Sequence, residues 1–283
     1  MKIRFSPLLF LCLIAVLTAA KADQRVTACD ELAAYPADPN RPDGVSGAIF
    51  GSINEVDAIR ACEQVLEKEP DNPRYQYQLG RSLVEARRYP EAFNFVRRAA
   101  HQGYTHAIAA LGYFYLNGRG VTQDHAEALK LFEEAAQLGS ALGQHNLAMS
   151  YQHGFGVWPN YAISAMLLRK AAEQGDARSL YRLALLYQSG RGVSVDHARA
   201  EELHRKSSEL GLSVAQIHLG RLFLMGHIVA KDDVSAFMWF TIAAAYGNED
   251  APGLRDLVAV DMTRDQIDLA ERKARKWLEA HPP

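Results

Sequence analysis

Residues 116–129, LNGRGVTQDHAEAL, set two glycines around an arginine and follow them with an acid, a histidine and the start of an apolar pattern. Glycines that let backbone amides converge on an anion also let a chain reverse direction. Phosphate loop, catalytic loop and plain bend are therefore all open until the rest of the chain is read. The stretch returns at 188–203 as QSGRGVSVDHARAEEL, and more loosely at 152–166 as QHGFGVWPNYAISAM and at 224–238 as LMGHIVAKDDVSAFM. Gly118, Gly154, Gly190 and Gly226 are equivalent, as are Leu111, Leu147, Leu183 and Leu219, and as are Gly139, Gly175, Gly211 and Gly247; each step is 36 residues. A period of that size marks a solenoid in which each unit is one supersecondary element stacked on its neighbours.

Within a unit, Leu111, Gly112 and Tyr115 share one helical face, and Ala128, Leu129, Phe132 and Ala136 form a second helical pattern after the loop. Two antiparallel helices per repeat, A then B, are expected. Small residues at Gly112, Ala148, Ala184 and Gly220 let the pair approach closely. The first loop glycine supplies the left-handed residue that ends helix A, and Asp124, Asn160, Asp196 or Asp232 caps helix B. A phosphate loop would be needed once, with a lysine and then Ser or Thr, after a strand. This loop is used four times and has neither residue, so it reads as a bend.

The pattern LG-x2-Y-x2-G-x-GV-x2-D, then helix B and AA-x2-G, resembles the Sel-1-like repeat family and covers Thr105 to about Asn248. The resemblance implies an all-α fold, a right-handed α-α superhelix of antiparallel helix pairs. Ile228 replaces the second glycine of the fourth unit, and Pro159 stands beside the cap of the second. Upstream, residues 70–104 look like a tetratricopeptide unit with a shorter loop. Downstream, Phe237, Met238, Trp239 and Phe240 call for a cover, which residues 249–283 supply as two capping helices, the second starting at Thr263 with capping-box spacing to Gln266.

The chain of 283 residues is 48% hydrophobic and 23% charged, enough for a substantial core. A formal net charge of -2 provides no basic field for nucleic acid. Lys2 and Arg4 precede the apolar run from Leu8 to Leu17, and Ala20-Lys21-Ala22 follows. This is a secretory signal over residues 1–22, with cleavage expected before Asp23 and no membrane span in the mature form. Cleavage removes Cys12 and leaves Cys29 and Cys62 in a cap segment over residues 23–69. An even pair in an oxidising compartment favours a disulfide over two buried thiols. Its role would be to hold the mature N-terminus against the first helices.

No G-x-S-x-G, H-E-x-x-H, Walker or S-x-x-K motif occurs, so no catalytic residue, metal site or cofactor is assigned. His125 and His197 recur at equivalent positions and read as solvated residues at helix starts. On a helix A wheel, Tyr113 and Ala109 point away from the packing face, as do their equivalents Met149 with His145, Leu185 with Tyr181, and Arg221 with Ile217. In a right-handed stack helix A lines the concave side, so these residues are expected to form one strip that binds a partner. The resemblance implies a non-catalytic adaptor, periplasmic or secreted, whose partner is a membrane sensor or other envelope protein. The alternative is a cell-wall-active or β-lactam-binding protein, a role linked to some members of the family, although the serine and lysine elements of such chemistry are missing here.

Overall fold

The computed structural model describes residues 26–34, 41–45, 48 and 53–282. The expected signal segment and its cleavage point lie outside the described residues. The chain divides into two compact units, Met1–Arg88 and Tyr89–Pro283. The division falls between the helix that ends at Glu85 and the one that starts at Tyr89.

In the first unit, α1 (Ala28–Ala33), α2 (Glu55–Leu66) and α3 (Pro73–Glu85) pack on one another. Thr27 opens α1 with a capping box closed by Asp30. Cys29 of α1 is disulfide-bonded to Cys62 of α2, both fully buried. Buried polar groups complete the attachment. Asp30 accepts from Gln78 Nε2 at 2.9 Å and pairs with Arg74 at 3.2 Å, while Arg81 Nη1 donates to the Ala33 carbonyl at 2.6 Å. Burying a polar side chain is costly unless it is so partnered, and here the partners fix the N-terminal segment on α3.

The second unit is a succession of helix pairs. It opens with α4 (Tyr89–His101), which packs on α5 (Thr105–Asn117). The repeats follow as α5 with α6 (His125–Gln137), α7 (Ala141–His153) with α8 (Tyr161–Glu173), α9 (Ala177–Ser189) with α10 (His197–Glu209), and α11 (Ser213–Met225) with α12 (Asp233–Ala245). Every helix A packs on its own helix B, and α6, α8 and α10 each pack on the next helix A. This alternation makes an all-α solenoid. Its middle is held by Phe132, Leu147, Leu168, Leu183 and Leu203, drawn from consecutive repeats. At the far end α13 (Ala251–Ala259) and α14 (Arg264–Ala280) both pack on α12. Ala251, Val258 and Ala270 bury Phe237 and Phe240, and Trp277 meets Trp239 edge-on at 5.6 Å. Thr263 and Gln266 form the expected capping box.

Candidate functional site

The loops between helices A and B are built alike. Helix A ends in the left-handed region at Gly118, Gly154, Gly190 and Gly226. Helix B starts under a side-chain cap from Asp124, Asn160, Asp196 or Asp232. Between them the main chain folds back on helix A: the amides of Asp124, Asn160, Asp196 and Asp232 donate to the carbonyls of Tyr115, Tyr151, Tyr187 and Phe223 at 2.8–3.0 Å.

In its middle the loop touches the preceding helix B. The Arg119 guanidinium lies 5.0 Å over the Tyr89 ring, Phe155 meets His125 at 5.5 Å, and Arg191 lies 5.5 Å over Tyr161. A Cβ at Gly120 would stand 2.6 Å from the Tyr89 carbonyl oxygen, and one at Gly156 would stand 2.8 Å from that of His125. The second glycine therefore serves a contact between repeats as well as the turn itself. In the first three repeats the loop is a bend that docks on its neighbour.

The predicted strip separates into an outer and an inner row. In the outer row Tyr113 is 39% exposed, Met149 and Leu185 are half-buried, and Arg221 is exposed. These residues recur one per repeat along the helix A surface. Most of the inner row turns into the stack: Ala109 is fully buried, and His145 and Ile217 are each only 7% exposed. The helix wheel considered one pair of helices, whereas the side chain at this position leans onto the next repeat. His145 Nδ1 lies 2.9 Å from Ser179 Oγ on α9 and 3.5 Å from Asp176, and Ile217 joins the cluster under α13 and α14. Tyr181 stays half-buried, its ring 5.7 Å from His218 and 5.5 Å from His204. His145 and Ile217 are thus structural residues, and the accessible strip is Tyr113, Met149, Tyr181, Leu185 and Arg221.

The electrostatics agree with that division. Burial lowers the pKa of His145 to about 3, with the Arg178 charge adding to the effect and Asp176 opposing it. His204, buried on α10, is likewise lowered to about 3 by burial and then by His218. Neither ring is an ion at neutral pH. Burial also raises the Tyr181 phenol. Among the described residues no group of three His, Cys, Asp or Glu side chains is placed to hold a metal ion, and no helix is long and apolar enough to cross a membrane. His125 and His197 are exposed at helix starts, as expected.

Four consecutive segments, 105–140, 141–176, 177–212 and 213–248, match the Sel1 repeat. The chain belongs to the Sel1 repeat family. Solved structures agree with this assignment. A protective antigen of uropathogenic Escherichia coli with the same type of repeat fold is 25% identical at a TM-score of 0.64, over 83% of this chain and 50% of its own. The chain thus spans about half the length of that protein. A Sel1 repeat protein of Oxalobacter formigenes is 24% identical at a TM-score of 0.61, over 77% of this chain and 94% of its own. One from Klebsiella pneumoniae is 25% identical at 0.51, over 70% of this chain and 99% of its own. No curated protein sequence matches the chain significantly. Sel1 repeats are protein-interaction scaffolds, typically without catalysis.

Proposed function

We propose that this Sel1 repeat protein is an exported, non-catalytic adaptor that holds an envelope or membrane sensor protein against the helix A face of its repeats. The observation that carries the reading is the register of Tyr113, Met149, Leu185 and Arg221. Each stands one repeat from the next and reaches solvent, while the inner neighbours of Tyr113, Met149 and Arg221 are buried in packing. Apart from the Arg119 guanidinium 5.5 Å over the Tyr113 ring, the core of a solenoid does not call for an aromatic ring, a thioether and a guanidinium on one such row. Tyr181 adds a second, partly sheltered ring beside Leu185. Export is supported by the disulfide between Cys29 and Cys62, which belongs to an oxidising compartment.

The test is affinity capture from envelope extract with mature protein from Asp23 onward, beside a folded variant with Tyr113, Met149, Leu185 and Arg221 changed to alanine. One envelope protein retained by the first and lost by the second is the expected result. Equal retention by both would remove the helix A face from the account.

A further inference from the structure

The fourth loop departs from the rule of the first three. Gly120, Gly156 and Gly192 each hold φ of 72°, and a Cβ on each would run into the main chain of Tyr89, His125 or Tyr161 at the start of the preceding helix B. Ile228 occupies their place in the fourth repeat. Among the described residues Arg87 is the one non-glycine with positive φ, so Ile228 does not share their backbone conformation. A side chain on the path of the first three loops would overlap helix main chain. The fourth loop accordingly runs a different course over the start of α10, and a cavity of about 410 Å³ lies there.

The residues around it differ in kind from the packed ring pairs of the earlier loops. His227 and His197 stand at the positions held elsewhere by Arg191 over Tyr161 and by Phe155 on His125. Both are exposed and line the cavity, together with the exposed Arg221. His218 and Gln188 close the inner side. Gln188 Oε1 lies 3.2 Å from His218 Nε2 and accepts its N–H, which leaves the Gln188 NH₂ as a further donor. Burial, and then the Arg221 charge, lowers the His218 pKa, and the Arg221 guanidinium puts a permanent positive charge on the wall. No carboxylate lines the cavity. Leu222, Met225 and Ile228 complete the lining with apolar surface. Space for a small group, one fixed cation and several N–H donors without an acid form a receptor for a planar anion carried on an apolar stem.

We propose that this cavity takes a carboxylate of the bound partner, supplied by an acidic side chain or by a free C-terminus, with Arg221 as its counter-ion and His197, His227 and Gln188 as hydrogen-bond donors. The partner comes from the adaptor reading, on which this inference rests in that respect; the ligand chemistry rests on the cavity alone. Arg221 would then be the point where the open row of helix A ends in a polar anchor.

The experiment follows the histidine ring signals of the full folded chain by NMR during titration with three small probes. They are acetyl-glutamate amide, acetyl-leucine with a free carboxylate, and the neutral acetyl-glutamine amide. Saturable shifts of His197, His218 and His227 are expected with at least one carboxylate probe and not with the neutral one; the stronger of the first two identifies the source of the carboxylate. Arg221→Gln, at an exposed position, should weaken that probe about tenfold or more, the scale of a lost charge-assisted hydrogen bond, and Arg221→Lys should recover part of the loss. Absence of saturation with either carboxylate, equal shifts with the neutral probe, or unchanged affinity in Arg221→Gln would overturn the proposal. Because the probes are small molecules, such a failure leaves the envelope capture experiment untouched, and failure of capture leaves the probe result untouched.

Discussion

The Phe132 ring occupies the space a side chain at Gly112 would need: a Cβ there would lie 2.6 Å from Phe132 Cε1. The same pair recurs as Gly220 with Phe240, again at 2.6 Å. The equivalent positions in the two middle repeats hold Ala148 with Leu168 and Ala184 with His204. Size on helix A is matched to size on helix B, repeat by repeat. Gly112→Ala should therefore cost about 1–3 kcal/mol through overpacking, measured by urea unfolding. Adding Phe132→Leu, which reproduces the Ala148 and Leu168 solution, should return most of it. A double variant as unstable as the sum of the two single ones would contradict the matching.

The loop glycines differ in what they resist. Gly139 and Gly192 both have positive φ, but a Cβ at Gly139 meets nothing within 4 Å, whereas one at Gly192 runs into the Tyr161 main chain. Gly139→Ala should cost about 1 kcal/mol, the penalty of the left-handed conformation alone. Gly192→Ala should cost clearly more, because a helix start cannot move aside. Equal costs in chemical denaturation would mean that the loop does not bear on the preceding repeat.

Two buried histidines make stability depend on acid. His145 and His204 have folded pKa values of about 3, below their ordinary 6.5. The unfolded chain binds their protons first as pH falls, so stability is full above pH 6.5 and declines from there towards pH 3. The slope is at most about 1.4 kcal/mol per pH unit for each ring. His204 also buries both ring nitrogens without a hydrogen-bond partner. His204→Leu, which copies the Leu168 arrangement, should raise stability at pH 7 by about 1–2 kcal/mol and flatten the decline in melting temperature between pH 6 and pH 4. An unchanged pH profile would assign the acid sensitivity elsewhere.

Much of this architecture is legible in the sequence because it repeats. The caps at Asp124, Asn160, Asp196 and Asp232 and the helix ends at Gly118 and its equivalents follow from local chemistry that each unit spells out again. What escapes is the identity of long-range partners. Arg81, Asp30 and Gln78 occur once each, so no period announces the buried polar cluster that ties the N-terminal segment to α3. His145 and Ile217 looked exposed because a helical wheel cannot show a neighbour 34 residues away, such as Ser179. For the cavity beside His197 one signal was present, Ile228 in place of glycine; its meaning depended on Gly120 and Gly156 touching another repeat.

The Cys29 to Cys62 bond spans 33 residues of sequence. Replacing both by serine should lower the stability of the N-terminal unit by about 3–4 kcal/mol, with the helical signal of the Sel1 repeats retained. Thiol labelling of the mature wild-type protein, from Asp23 onward and isolated without reductant, should detect no reactive cysteine until a reductant is added. Equal labelling with and without reductant would show that the bond does not form.

The central claim is that a protein partner lies on the helix A face. The most direct measurement is photo-crosslinking in intact cells, with a photoreactive amino acid placed singly at Tyr113, Met149 or Leu185, and at the exposed helix B positions Glu133 and Arg205. The account predicts one common adduct from the three helix A positions and none from helix B. Adducts from Glu133 or Arg205 alone would contradict it.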